Sequence, residues 1–170
     1  MFVGHGTQKL FGWFGGPGLE GTAQAFDGMG MRPVRQHATA AGAAETTSGA
    51  LLITGLAAPL AASMLTSVML TAINRVHLKN GPWISNGGYE YNVVIIAALL
   101  LLAEEGPGSL ALGGDKLRGP KWALSALAGG VACALGAHLY AESQPEPEAA
   151  PEEPAEQPTD GTAATAPHTA

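Results

Sequence analysis

The sequence predicts an all-α membrane protein, a multi-pass bundle of transmembrane helices followed by a polar tail. Only 13% of its 170 residues are charged, whereas soluble domains average about 25%. The mean hydropathy is positive, at +0.16, despite that tail. Apolar and small residues are gathered in runs of about 20, the length that a helix needs to cross a bilayer. These three observations favour a membrane protein over a soluble globule.

The acidic residues are concentrated at the C-terminal end. The formal net charge is −6, and seven of the fourteen acids follow Ala141, where no Lys or Arg occurs. Residues 1–141 carry eight basic and seven acidic residues, a net charge of +1. They offer no basic stripe to neutralise phosphates, so nucleic acid is not an expected partner. Residues 142–170, rich in Pro, Glu, Ala and Thr, are predicted to be a disordered acidic tail.

Motifs of soluble enzymes are missing from the sequence. Its single cysteine, Cys133, excludes a disulfide framework, a CxxC redox pair and a cysteine-based zinc site within this chain. No metal site is expected from Cys133 and the nearby His138, because two such residues rarely suffice. No phosphate-binding glycine loop, HExxH motif or nucleophile elbow occurs. No catalytic residue is therefore assigned, and a redox role would need a bound cofactor or a partner protein.

The N-terminal third begins with a short apolar helix and a loop. Residues 1–14 are too few to span a bilayer and are expected to be the end of a truncated first helix. Residues 15–35 are rich in Gly and Pro and are predicted to be a loop, with a short amphipathic turn around residues 22–29.

Four longer segments follow, each predicted to span the membrane as a helix. Residues 36–57 hold one charge, Glu45, and many small residues that allow close helix contact. Pro59 ends this span, and a short connection makes the next helix, residues 60–78, antiparallel to it. The two remaining spans are residues 91–103 and, after Pro120, residues 119–141.

Four stretches resemble, in the same order, motifs of the DoxX family of membrane proteins. They are residues 5–16 (HGTQKLFGWFGG), 41–59 (AGAAETTSGALLITGLAAP), 86–92 (NGGYEYN) and 105–110 (EGPGSL). The resemblance covers about residues 2–112 and implies a four-helix DoxX-type core over residues 1–112. Residues 113–141 then form a linker and an additional C-terminal transmembrane helix. The tail, residues 142–170, lies outside the resemblance.

The DoxX resemblance also implies a functional context. The family is related to the small membrane subunit of thiosulfate:quinone oxidoreductase, and some members associate with soluble redox enzymes. The resemblance thus implies a small membrane subunit or anchor of a redox assembly in the plasma membrane, with quinone as candidate cofactor. The implied partners are the lipid bilayer and soluble redox enzymes. The competing class is a non-enzymatic membrane scaffold that binds other proteins.

The candidate site consists of ionisable residues within the predicted bundle, because each such charge costs about 2.5–3.5 kcal/mol to insert into a bilayer. They are His5, Lys9, Glu45 and Glu90. His5 and Lys9 share a helix face, and either could pair with Glu45. One interpretation is a polar clamp that fixes helix register. The other, suggested by the family relationship, is a quinone or proton site inside the bundle.

Two further groups lie at predicted membrane edges. Glu90, within the Tyr-Glu-Tyr-Asn stretch, is typical of a helix start with interfacial aromatic anchors, or of a rim that contacts a ligand or partner. Arg75, His77 and Lys79 cluster at a helix end, where terminal carbonyls and lipid headgroups explain them. A specific anion site is the alternative for this second group.

Overall fold

A computed structural model describes residues 1–114 and 116–145, and this part of the chain is helical without β-strands. The all-α fold predicted from the sequence is confirmed for these residues. They form six α-helices: α1 (Phe2–Phe11), α2 (Gly18–Gly28), α3 (Val34–Thr54), α4 (Ala58–Ala72), α5 (Glu90–Glu105) and α6 (Pro120–Glu142). A π-helical turn, Ile73–His77, continues α4. The predicted disordered tail beyond residue 145 lies outside the described residues.

Helices α1 and α3 lie in direct contact because glycines leave no side chains to separate them. A Cβ placed on Gly6 would lie 2.6 Å from the carbonyl oxygen of Gly42, and one on Gly49 would lie 2.6 Å from the amide nitrogen of Val3. Gly6 thus faces Gly42 while Val3 faces Gly49, so the two helices are antiparallel. Small residues serve this purpose in lipid, where helix backbones approach closely.

Helix α4 is the central helix and packs against α3, α5 and α6. A core of small and medium apolar side chains joins the last three helices: Ala62, Leu65, Leu99, Ala103 and Ala126. Gly130 of α6 allows a close approach to α4, since a Cβ there would lie 2.7 Å from Cβ of Thr66.

Successive long helices alternate in direction, so the connections gather at two ends of the bundle. The first end holds residues 12–33 and 78–89 and the end of α6; the second holds residues 55–57, 106–114 and 116–119. At the second end, Leu112 donates a backbone hydrogen bond to Thr54 over 2.9 Å, and Gly119 donates one to Glu104 over 2.8 Å. These bonds connect the linker before α6 to the bundle.

The first predicted loop contains a helix. Helix α2 is longer than the turn predicted around residues 22–29, and it follows directly on Pro17 with Glu20 in its first turn, both of which favour a helix start. The hydroxyl of Thr22 donates to the carbonyl oxygen of Lys9 over 3.2 Å and attaches α2 to the end of α1. Helix α1 itself ends earlier than predicted, at a left-handed Gly12.

Helix α6 alone, among the described residues, is long and apolar enough to cross a bilayer by itself. It has 23 residues and a mean hydropathy of 1.5, and only 11% of its apolar stretch is buried inside the bundle. Helices α4 and α5 have 15 and 16 residues, because a π turn interrupts the α-helical pattern of the first and Gly106 ends the second. The multi-pass arrangement inferred from the sequence stays a prediction.

Candidate functional site

Lys9 and Glu45 are the two predicted site residues that the fold brings together. Nζ of Lys9 lies 2.6 Å from Oε2 of Glu45, across the close contact between α1 and α3. The carboxylate side chain is 5% exposed and the lysine side chain 28%. An ion pair at this depth compensates a buried charge that would otherwise be strongly unfavourable.

His5 and Glu90 lie elsewhere in the fold. The ring of His5 is exposed on α1, with Nδ1 3.2 Å from Oε1 of Gln8. Glu90 begins α5, and its Oε1 accepts a hydrogen bond of 2.6 Å from the amide of Ile84, which closes the loop before the helix. Neither side chain bonds to Lys9 or Glu45 within the described residues. The ligand-binding role assigned to these four residues stays a prediction, and the positions of His5 and Glu90 favour Lys9 and Glu45 for it.

A cavity of about 430 Å³ adjoins the Lys9–Glu45 pair. Its walls come from α3, α4, α6 and the segment after α2, and they are largely apolar. Four of the five methionines of the chain line it: Met29, Met31, Met64 and Met69. Methionine side chains are flexible and polarisable, so they adapt to irregular apolar ligands. The cavity thus combines an adaptable apolar lining with one buried ion pair.

His37 and Cys133 also line this cavity and were not singled out as site residues from the sequence. Nε2 of His37 lies 3.2 Å from the carbonyl oxygen of Arg32, and its ring centroid lies 5.8 Å from that of Tyr140 in α6. Cys133 is an exposed free thiol on α6. Cys133 joins the site through the packing of α6, which no local sequence pattern specifies, whereas His37 lies on α3 about two turns before Glu45.

The cavity does not have the ligand set of a metal centre. No group of three or more His, Cys, Asp or Glu side chains within residues 1–114 and 116–145 could hold a metal ion. The arrangement is instead that of an apolar ligand pocket with a few polar groups at its edge.

Comparisons with known proteins give one family match. The family model described as DoxX matches residues 1–78, which include α1 to α4, the π turn and both members of the ion pair. The match ends before two of the four motifs that carried the resemblance, those at residues 86–92 and 105–110. No curated protein and no solved structure matches the chain significantly. Residues 1–78 of this chain thus match the DoxX family, and this match supports a DoxX family protein.

Proposed function

We propose that the protein is a multi-pass protein of the plasma membrane that binds a quinone beside the Lys9–Glu45 pair. In this role it is a small membrane subunit or anchor of a redox assembly. The observation that carries the proposal is the position of a buried ion pair in the wall of a 430 Å³ apolar cavity.

The distribution of side chains supports a membrane environment. Large apolar side chains point away from the bundle along its helices: Ile53, Leu60, Val94, Leu101, Leu124 and Leu139 are all exposed. Polar side chains lie inside, among them Glu45, Ser48, Thr66 and Asn92. An apolar outer surface of this extent is unfavourable in water, and interiors of small and polar residues are typical of helices packed in lipid.

Helix lengths are compatible with several spans. Helix α3 has 21 residues, and α4 with its π turn forms a continuous helix of 15 and 5 residues. At about 1.5 Å per residue, helices of this length match a hydrocarbon core of about 30 Å. Helix α5 is shorter, and local thinning of the bilayer accommodates such a mismatch at modest cost.

The chemistry of the cavity suits a quinone. Its volume falls in the range of small-molecule pockets, about 300–1,000 Å³. The Lys9 ammonium can donate a hydrogen bond to a quinone carbonyl, and the Glu45 carboxylate can accept and pass on a proton. Reduction of a quinone to its quinol takes two electrons and two protons. The protons reach the ring through this pair, and the electrons come from the soluble redox partner that the family relationship suggests.

Quantification of bound quinone tests the proposal. The full-length chain is purified in mild detergent, extracted, and compared with Lys9→Met, Glu45→Gln and His5→Ala. Quinone should be present in the wild type and in His5→Ala, whose ring lies apart from the pair, and lost in the other two with folding retained. Glu104→Gln is the matched control, since it removes an exposed carboxylate of α5 outside the cavity. A well-folded wild type without quinone contradicts the proposal.

A membrane scaffold is the second candidate function. It is favoured by the close fit of α1 on α3, in which the ion pair sits beside glycine contacts and fixes the register of the two helices. A scaffold predicts no quinone in the wild type and failed helix assembly in Glu45→Gln. Crosslinking to protein partners then becomes the informative measurement.

A further inference from the structure

A second polar cluster lies at the first end of the bundle, where α4 and α6 both finish. Arg75, within the π turn, donates a hydrogen bond from its guanidinium to Nδ1 of His138. The other ring nitrogen, Nε2, lies 3.0 Å from Oε1 of Glu142. In this pattern Nδ1 accepts and Nε2 donates, so the imidazole has a fixed orientation between the arginine and the carboxylate.

Arg75 keeps unused donors in this arrangement. A guanidinium carries five N–H groups, and Nε of Arg75 is buried without a hydrogen-bond partner. No carboxylate of the described residues forms an ion pair with it, because Glu142 lies on the far side of the imidazole ring. The cluster can therefore accept an anionic ligand without first giving up an existing ion pair of Arg75.

A cavity of about 300 Å³ opens between α4 and α6 beside this cluster. Arg75 and His138 line its outer part, and Leu70, Val131 and Leu135 line its inner part. Val131 precedes His138 by seven residues, about 10 Å along the helix axis. The guanidinium and imidazole groups of the cavity thus lie towards the end of the bundle, beside Leu78, and its lining towards the middle is apolar apart from Thr71, which suits an amphiphilic anion.

We propose that this cavity binds the phosphate headgroup of an anionic membrane lipid. Arg75 donates charge-assisted hydrogen bonds to the phosphate oxygens, and an acyl chain lies against Leu70, Val131 and Leu135. Basic pockets between membrane helices near the surface take acidic headgroups in the same way. The contact from Glu142 through His138 holds Arg75 at the mouth of the cavity. This site rests on the membrane placement proposed above, and it is independent of quinone binding.

Native mass spectrometry of the delipidated full-length chain tests the site. Phosphatidylglycerol and phosphatidylcholine with the same acyl chains are added separately, and one phosphatidylglycerol per chain should be retained while phosphatidylcholine is not. Arg75→Gln should weaken this binding by about tenfold or more, because it removes a charged hydrogen-bond donor. Arg35→Gln is the matched control, since that arginine is exposed at the same end and paired with Glu20. Equal retention of both lipids, or an equal loss in both variants, overturns the proposal.

Two further measurements complete the test. One distinguishes a lipid phosphate from free phosphate, and the other uses a second variant in case Arg75→Gln does not fold. Inorganic phosphate should not displace the lipid, and displacement by it would show a site for free phosphate. Leu135→Trp leaves Arg75 intact but fills the apolar part of the cavity, so it should also lose the lipid even where Arg75→Gln fails to fold. Retention of phosphatidylglycerol by Leu135→Trp overturns the acyl-chain placement.

The test of lipid binding can fail or succeed independently of the test of quinone binding. Glu45→Gln should lose quinone yet keep phosphatidylglycerol, because the charged groups of the two cavities are different: Lys9 and Glu45 in one, Arg75 in the other. Lipid binding in a wild type that holds no quinone would overturn quinone binding alone. Absence of the expressed chain from the membrane fraction would overturn the membrane placement on which both depend.

Discussion

Lys9 and Glu45 form an ion pair whose two members are buried to different degrees, 28% exposed for the lysine and 5% for the carboxylate. The long lysine stem can carry its ammonium towards the outer side of α1 when its partner is absent. Glu45 lies near the middle of α3 and has no such route. Loss of Lys9 and loss of Glu45 should therefore have different effects on the stability of the protein.

Lys9→Met should destabilise the protein more than Glu45→Gln does. The first change leaves an unpaired carboxylate inside the bundle, a defect of about 3–5 kcal/mol, whereas the second leaves an ammonium that can reorient. Unfolding in detergent, followed by circular dichroism, measures both. The double variant should lose less than the sum of the single losses, because the residues interact directly. Equal effects of the two single variants would contradict the inference from burial.

Gly6→Ala should loosen α1 from α3, while Gly4→Ala on the same helix should be tolerated. A Cβ at Gly6 would lie 2.6 Å from backbone atoms of α3, whereas one at Gly4 meets nothing within 4 Å. Overpacking of this kind costs about 1–3 kcal/mol, and alanine in an open helix position is slightly favourable. Thermal unfolding of the two variants gives the comparison. A Gly6→Ala variant as stable as the wild type would show that α1 can move away from α3 without loss, which contradicts a tight contact at Gly6.

Thr66→Val should raise stability. The hydroxyl of Thr66 is buried and has no hydrogen-bond partner among the described residues. A buried polar group without a partner lowers the free energy of unfolding by about 1–3 kcal/mol. Thr22→Val is the control, because the one hydroxyl hydrogen of Thr22 is shared between the carbonyl oxygens of Gly18, at 2.7 Å, and Lys9, at 3.2 Å. That variant should unfold at a lower temperature than the wild type. A loss of stability in Thr66→Val would reveal a partner for its hydroxyl.

Cys133 should report on occupation of the larger cavity. It is the one thiol of the chain, it is exposed, and it lines the same cavity as Lys9 and Glu45. Added quinone should slow its labelling by a membrane-permeant maleimide in the wild type and have no effect in Glu45→Gln. Labelling is followed by mass spectrometry, with Cys133→Ala as the blank. An unchanged rate at saturating quinone would place the ligand outside this cavity.

The tryptophans should lie at the two surfaces of a bilayer. Trp13 and Trp83 are exposed at the first end of the bundle, and Trp122 is at the start of α6, at the second end. Aromatic residues concentrate at this depth in membrane proteins. In reconstituted vesicles, lipids brominated near the headgroup should quench their fluorescence more than lipids brominated at the chain ends. Stronger quenching by the deep probes would contradict the spanning arrangement.

Most of the helical framework was predictable from composition and from helix breakers. Residues 36–57, 91–103 and 119–141 were predicted as helices and correspond to α3, α5 and α6 within a few residues. Each is a long run of apolar or small residues; the first two end at Gly55 and Gly106, and the third begins at Pro120. Helix α2 was underestimated because its glycines at both ends are typical of a loop, while its attachment through Thr22 is a tertiary contact.

The candidate sites were less predictable, because their residues meet across the bundle. The pairing of Lys9 with Glu45 was one of two open alternatives, and only the antiparallel contact of α1 with α3 distinguishes Lys9 from His5. The contact of Arg75 with His138 joins residues 63 positions apart. The sequence carries a signal only for the other half of this cluster: Glu142 follows His138 by four residues, a helical spacing at which side chains interact.

The π turn that follows α4 has a consequence for how the contact between Arg75 and His138 could be lost or gained by mutation. A π turn holds an extra residue within an α-helix, and each residue of an α-helix advances the chain by about 100°. Loss of one residue ahead of Arg75 would restore regular winding and swing the guanidinium away from α6, with every side chain of the cluster intact. A single-codon deletion or insertion can thus remove or create the contact while the side chains that form it stay unchanged.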